Sequence, residues 1–209
     1  MADAPAPHAA ATPQGAHSGG WTPADPGPLG LAAFALTTFV LSMFNSGLMN
    51  GKKGEPVVLG LALAYGGIVQ LAAGLWEFRT GNTFGATAFC SYGGFWISFW
   101  AFVTFFAPKV DPTYVGKAVG LYLIGWGIFT TYMFVASLRT TGAIAAVFAL
   151  LALTFILLGI GNAGAHENIV KAGGYVGLLT ALAAWYASFA GVTNSTFGRV
   201  VLPVMPLQR

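Results

Sequence analysis

The sequence predicts an all-α polytopic membrane protein with six spanning helices. Three observations predict it. Of 209 residues, 56% are hydrophobic and only 7% are charged, against roughly 25% charged in soluble domains. Apolar runs of about 18 residues or more recur along the chain, each long enough to cross the hydrocarbon core. The short alternating segments of a β-barrel are missing. The net charge of +3 is scattered over loop positions, with no basic tract and no zinc-type spacing, so no nucleic-acid partner and no metal or other cofactor is expected.

Residues 1–24 are rich in Ala, Pro, Gly and His. They lack a basic and then apolar leader pattern, and they are expected to form a disordered tail. His8 and His17 are the metal-capable residues there. Asp25-Pro26-Gly27-Pro28-Leu29-Gly30 follows; its two prolines favour an extended approach and then a first helical turn. The first span is expected at about 29–50, with Phe34, Thr37, Thr38 and Asn45 inside it. The second, about 56–78, carries Gly60, Gly67 and Gly74 at every seventh residue and Gln70 near its middle. That amide needs a partner, since hydrocarbon offers none.

The third span, about 84–107, continues the uncharged stretch Gly81–Phe106, which interleaves small, hydroxylic and aromatic residues, among them Thr87, Ser91 and Tyr92. Small residues let helices approach, and hydroxyls suit a polar path. Cys90, the single cysteine, reads as a packing residue. The fourth span, about 114–138, contains the Gly116-x3-Gly120 spacing. The fifth, about 142–162, is the most apolar and holds Leu150, Leu151 and Leu153. The sixth is expected at about 168–190, and residues 206–209 form a C-terminal tail. A transmembrane domain over residues 25–205 thus has both ends on one side. Basic residues divide four (Arg79, Arg139, Arg199, Arg209) against five (Lys52, Lys53, Lys109, Lys117, Lys171), an even bias under the positive-inside rule.

No ionisable residue is expected at mid-depth. Glu77, Lys117 and Lys171 fall near span ends, where they reach the interface. His166-Glu167 reads as an interfacial cap, and without a nucleophile–base pair or a metal cluster an enzyme is not expected. The neutral groups Thr37, Thr38, Gln70, Thr87, Ser91 and Asn45 are the candidate substrate path. They strip part of a hydration shell without holding an ion tightly.

The motifs together resemble the acetate uptake transporter family, also called the succinate–acetate permeases. Pro26-Gly27-Pro28-Leu29-Gly30-Leu31 is similar to its Asn-Pro-Ala-Pro-Leu-Gly-Leu signature, with Asp25 and Gly27 in place of Asn and Ala. Tyr65-Gly66-Gly67-Ile68 with Gln70, Gly81-Asn82-Thr83-Phe84-Gly85, Ser91-Tyr92-Gly93, Gly159-Ile160-Gly161-Asn162 and Phe197-Gly198-Arg199 follow in order. The resemblance implies a six-helix protomer in a ring-like homohexamer, in the plasma (inner) membrane, with both termini cytoplasmic. It implies passage of acetate and related short carboxylates, succinate among them, as a channel or a proton-linked symporter. It places an apolar constriction at Phe34, Tyr92 and Leu151, and the entrance signature at Asp25, Pro26, Pro28, Leu29 and Gly30. A carboxylic acid with a pKa of about 4–5 brings its own proton, so symport needs no relay on the protein. Two other readings fit the same neutral lining: a channel for water or ammonia, and a non-transporting scaffold or sensor.

Overall fold

A computed structural model describes residues 21, 23–49, 54 and 56–207. The tail expected over 1–24 lies outside the described residues except for Trp21, Pro23 and Ala24, and His8 and His17 are among those outside. The described residues form six long helices: α1 (Gly27–Asn45), α2 (Val57–Thr80), α3 (Thr83–Lys109), α4 (Val115–Ser137), α5 (Gly142–Ala163) and α6 (Glu167–Phe197). The chain is a multi-pass helical membrane protein. The outward faces of α2, α4 and α6 carry exposed Leu75, Leu121, Ile128, Leu179 and Leu182, an apolar surface that water would not tolerate.

Three helices end at glycines in the left-handed region: α1 one residue short of Gly47, α2 at Gly81 and α6 at Gly198, with φ of +80°, +79° and +62°. A side chain at these turns would be strained. They explain the departures from the expected spans. Helix α1 stops at Asn45 rather than about residue 50, because Ser46 and Gly47 close it. Helix α6 runs 31 residues, to Phe197, or about 46 Å at 1.5 Å per residue. That length exceeds the roughly 30 Å of the hydrocarbon core. Near its end Asn194 Oδ1 accepts the Val201 and Leu202 N–H groups. The returning chain then supplies acceptors to the start of α5, where Gly142 N–H donates to Met205 O and Ala143 N–H to Val204 O. Pro206 and Leu207, expected in the C-terminal tail, pair with Thr141 and Thr140.

Helix α2 is a π-helix over Ala64–Val69, and α3 is one over Phe102–Phe106. The wider turn in α2 coincides with two glycines at interfaces. A Cβ on Gly66 would lie 2.7 Å from Thr37 Oγ1 of α1, and one on Gly67 2.7 Å from Ile97 of α3.

Helix α1 packs on α2 and α6, α6 on α5, α5 on α4, and α2 on α3. The order around the bundle is therefore α3-α2-α1-α6-α5-α4. Helices α3 and α4 close it, yet their backbones scarcely meet. Aromatic side chains bridge that seam: Phe95 stacks on Tyr122 at 5.6 Å between ring centres, and Tyr122 Oη bonds Ser98 Oγ at 2.7 Å.

Candidate permeation site

The seam leaves room inside the bundle. A cavity of about 510 Å³ lies between α1, α3, α4 and α5. Asn45 and Asn162, at the C-terminal ends of α1 and α5, and Ala118, in the first turn of α4, line one end of it. That end is opposite the face carrying the start of α1 and the end of α6. Phe34 and Leu151 line its other end.

On α1 the lining residues Phe34, Thr38, Ser42 and Asn45 recur at spacings of four, four and three, the period of one helix face. This face was readable in the sequence, though only Phe34, Thr38 and Asn45 were taken from it. Phe34, Tyr92 and Leu151 fall in one buried cluster, each 3–4% exposed. The Phe34 and Tyr92 rings lie 5.8 Å apart. In this conformation the bundle is shut at that level.

Tyr92 itself does not line the cavity. It sits among Phe34, Phe129, Phe148 and Trp126. Its hydroxyl lies 2.9 Å from Thr130 Oγ1. The Thr130 hydroxyl proton is committed to Trp126 O at 2.7 Å, so Tyr92 is the donor of that pair. A carboxylate arriving here meets the ring of Tyr92 rather than a free O–H.

Two unpaired donors lie above it, buried in residues of the cavity lining. Thr38 Oγ1 and Trp96 Nε1 are both buried and, among the described residues, both without a hydrogen-bond partner. Both residues line the cavity. Each stands one helical turn from a member of the apolar cluster, Thr38 from Phe34 and Trp96 from Tyr92. A buried polar group left unpaired costs roughly 1–3 kcal/mol, so two such groups at the floor of one cavity read as a place for a solute. Trp96 was missed in the sequence. The signal was its i+4 spacing from Tyr92.

The remaining candidates separate. Asn45 lines the cavity; Thr37, Gln70, Thr87 and Ser91 do not. Thr37 Oγ1 donates to Ala33 O at 2.9 Å and abuts Gly66. Gln70 is 1% exposed, and both atoms of its amide lack a partner. It lies between Gly67, against Ile97, and Gly74, against Cys90, which puts it at the depth of the α3 turn carrying Gly93. Thr87 and Ser91 are half-buried on α3.

The Asp25–Gly30 segment is on the far face. Asp25 is exposed, and its Oδ1 accepts the Gly27 N–H at 2.8 Å. Pro26 O accepts the Gly30 N–H at 3.1 Å. Pro28 O accepts the Ser188 hydroxyl of α6 at 2.7 Å. Leu29 is exposed, and Gly30 packs flush on Phe89. The segment therefore seats the start of α1 on α6 and α3.

One expectation fails. Glu77 was placed where its carboxylate reaches the interface, yet it is 2% exposed. It is wedged under Gly85, where only a missing Cβ leaves room, with Gly27 in ordinary contact beside it, and its Oε2 accepts the Thr80 hydroxyl at 3.2 Å. The two glycines and the Asn82 cap, whose Oδ1 accepts the Gly85 N–H at 3.0 Å, draw three helix ends around it. His166 also differs from its expected capping role, because its side chain makes no cap bond. Glu167 instead pairs with Lys171 at 2.7 Å.

Comparison with known proteins agrees with this architecture. The chain is 40% identical over 183 residues to the succinate-acetate/proton symporter SatP of Escherichia coli, covering 87% of this chain and 95% of the relative. It is 48% identical over 176 residues to the ammonia transport outward protein 2 of Saccharomyces cerevisiae, covering 82% of this chain and 62% of that one. Against the fungal relatives generally it spans 66% of their length or less. A solved structure of the bacterial acetate channel SatP superposes with a TM-score of 0.80 at 39% identity, covering 87% of this chain and 98% of that one. The GPR1/FUN34/yaaH family model matches residues 9–209. The chain belongs to the GPR1/FUN34/yaaH family.

Proposed function

We propose that this protein passes acetate and related short carboxylates, succinate among them, across the plasma (inner) membrane. The observation that carries this reading is the pair of unpartnered donors, Thr38 Oγ1 and Trp96 Nε1, at the floor of the cavity directly above an apolar closure. The relatives named as a succinate-acetate/proton symporter and an acetate channel support it. The anion enters past Asn45 and Asn162. It exchanges part of its hydration for the Thr38 hydroxyl and the Trp96 N–H, and turns its methyl group to Phe34 and Leu151. Phe34, Tyr92 and Leu151 act as the constriction that selects by size. Opening it carries the carboxylate past the unpaired amide of Gln70, at the depth of the closure, and on by Ser91 and Thr87 to the far face, while Thr37, one turn from Phe34 toward the cavity, stands before the closure. There the Asp25–Gly30 segment frames the mouth. The protomers assemble as a homohexamer with both termini cytoplasmic, as the family resemblance implies.

A second reading, a pore for ammonia, is favoured by the yeast relative's name and by the neutral lining. Proteoliposomes separate the two. Labelled acetate uptake well above that of empty vesicles, with ammonia permeability unchanged, supports the carboxylate reading; the reverse pattern overturns it. Leu151→Ala should raise uptake of larger carboxylates relative to acetate. If both Leu151→Ala and Tyr92→Ala leave a background-level flux unchanged, the protein is a scaffold or sensor instead.

A further inference from the structure

The cavity is far larger than a two-carbon acid needs. Its volume of about 510 Å³ lies within the roughly 300–1,000 Å³ of sites that hold drug-sized ligands. Its chemistry is also divided. Thr38 and Trp96, which carry the unpaired donors, sit at the floor; the wall above them on α3 and α4 is apolar apart from Tyr122, and the polar lining groups Ser42, Thr154, Asn45 and Asn162 are confined to the α1–α5 side and the mouth. That wall belongs to the seam where the two helices meet mainly through side chains. A polar floor beneath a deep apolar wall fits an amphiphile better than it fits acetate.

We propose that the cavity is a binding site for unbranched monocarboxylates of about six carbons, held and not passed. This rests on the carboxylate reading of the same site. The head group bonds Thr38 Oγ1 and Trp96 Nε1, as acetate does. The alkyl tail lies along Phe99, Phe102, Val103 and Val119 and points to the open end. The closed cluster below, with Phe34 and Leu151 each 3–4% exposed, stops the longer acid at the floor. Such acids therefore compete with acetate from the side of Asn45 and Asn162 and block it.

Calorimetric titration of the purified protein with acetate, butyrate and hexanoate tests this, together with labelled-acetate flux in the presence of hexanoate. A fully buried methylene tightens binding about fourfold, so four added methylenes give between about tenfold and about two hundredfold. Hexanoate should bind at least tenfold tighter than acetate, inhibit its flux competitively and not accumulate in the vesicles. Val119→Trp fills the tail space and should abolish the chain-length dependence; Val119→Phe, a smaller intrusion at the same position, replaces it if the unfolding temperature shows Val119→Trp misfolded. Hexanoate binding no tighter than acetate overturns the proposal, as does hexanoate transport at the acetate rate. So does a chain-length dependence that survives the filled wall, which would mean partition into detergent or lipid. Chain-length-dependent, Val119-sensitive binding without acetate flux would uphold this site and overturn the transport reading alone.

Discussion

Replacing Thr38 by Val separates a substrate role from a structural one by the sign of two effects. The Thr38 hydroxyl is buried and has no hydrogen-bond partner among the described residues. Val keeps the branched shape and removes only the oxygen's polarity. A structural hydroxyl lost from a helix interface in a membrane costs about 0.6 kcal/mol on average. Here there is no such bond to lose. An unpaired polar group is removed, so stability should hold or rise by up to about 1 kcal/mol. Carboxylate binding should move the other way. A hydrogen bond to a charged group contributes roughly 1.5–3 kcal/mol, which is about tenfold or more in affinity. The half-saturating acetate concentration in proteoliposomes should therefore rise about tenfold while the unfolding temperature in detergent stays level or increases. Trp96→Phe should reproduce the pattern, since it removes the second unpaired donor and keeps most of the ring packing. An unchanged half-saturation with a lowered unfolding temperature would refute the reasoning, because it would mean that the hydroxyl serves packing and that no carboxylate reaches it.

Three further outcomes follow. Gly66→Ala places a methyl group 2.7 Å from Thr37 Oγ1, whereas Gly60 has nothing within 4 Å of a built Cβ; thermal unfolding should show a loss of roughly 1–3 kcal/mol for the first and none for Gly60→Ala. Glu77→Gln keeps the shape of the buried side chain and its Thr80 contact, so if the acid carries its own proton, the pH profile of acetate flux should keep its form; a profile flattened by this one change would assign the coupling to Glu77. In the α3–α4 loop, the hydroxyl and the backbone N–H of Thr113 hold the Asp111 carboxyl below its ordinary value. The turn's contribution is therefore present above the unfolded carboxylate's pKa and is lost as pH falls through the lowered folded value. Amide exchange at residues 113–115 should quicken only in that acid range, and Asp111→Asn should abolish the dependence.

The spans were legible because a bilayer imposes length and polarity on every helix. The boundaries were less so. Helix α6 overruns its expected end because Val192, Thr193 and Asn194 can continue a helix in water, and what stops it is the left-handed turn at Gly198. The closed cluster of Phe34, Tyr92 and Leu151 follows from the family resemblance; periodicity marks an apolar face but not which residues of other helices it meets. The polar groups were harder. Thr37 and Thr38 are adjacent in sequence and point about 100° apart on a helix. One bonds its own backbone against Gly66, and the other is left unpaired on a residue of the cavity lining. Which is which depends on the neighbouring helix, and composition is silent on that. Glu77 failed for a similar reason. Snorkelling requires a free route to water, and the close approach of α1 and α3 at Gly27 and Gly85 removes it.

The placement of these groups argues for a division of labour across the membrane. Orphan donors persist only where rigid packing holds them away from better partners. Thr38 and Trp96 stand on the two helices that flank the closed cluster, and α1 is tied at its start by Ser188 and at its middle by the Gly66 contact. Neither can relax toward a protein acceptor without moving a helix. Helices α3 and α4, by contrast, meet mainly through side chains, with the Tyr122 hydroxyl donating to Phe95 O at 3.1 Å. If the closure opens by motion of one element, α4 is the one with least backbone packing to break on that side, and Tyr92–Thr130 is the hydrogen bond at the level of the closure that such a motion would stretch. The donors stay in place while the wall that includes Tyr122 and Phe129 moves. A carboxylate already bound at the floor would then meet a wider apolar passage without first losing its hydrogen bonds, which is the arrangement that keeps desolvation from becoming the barrier.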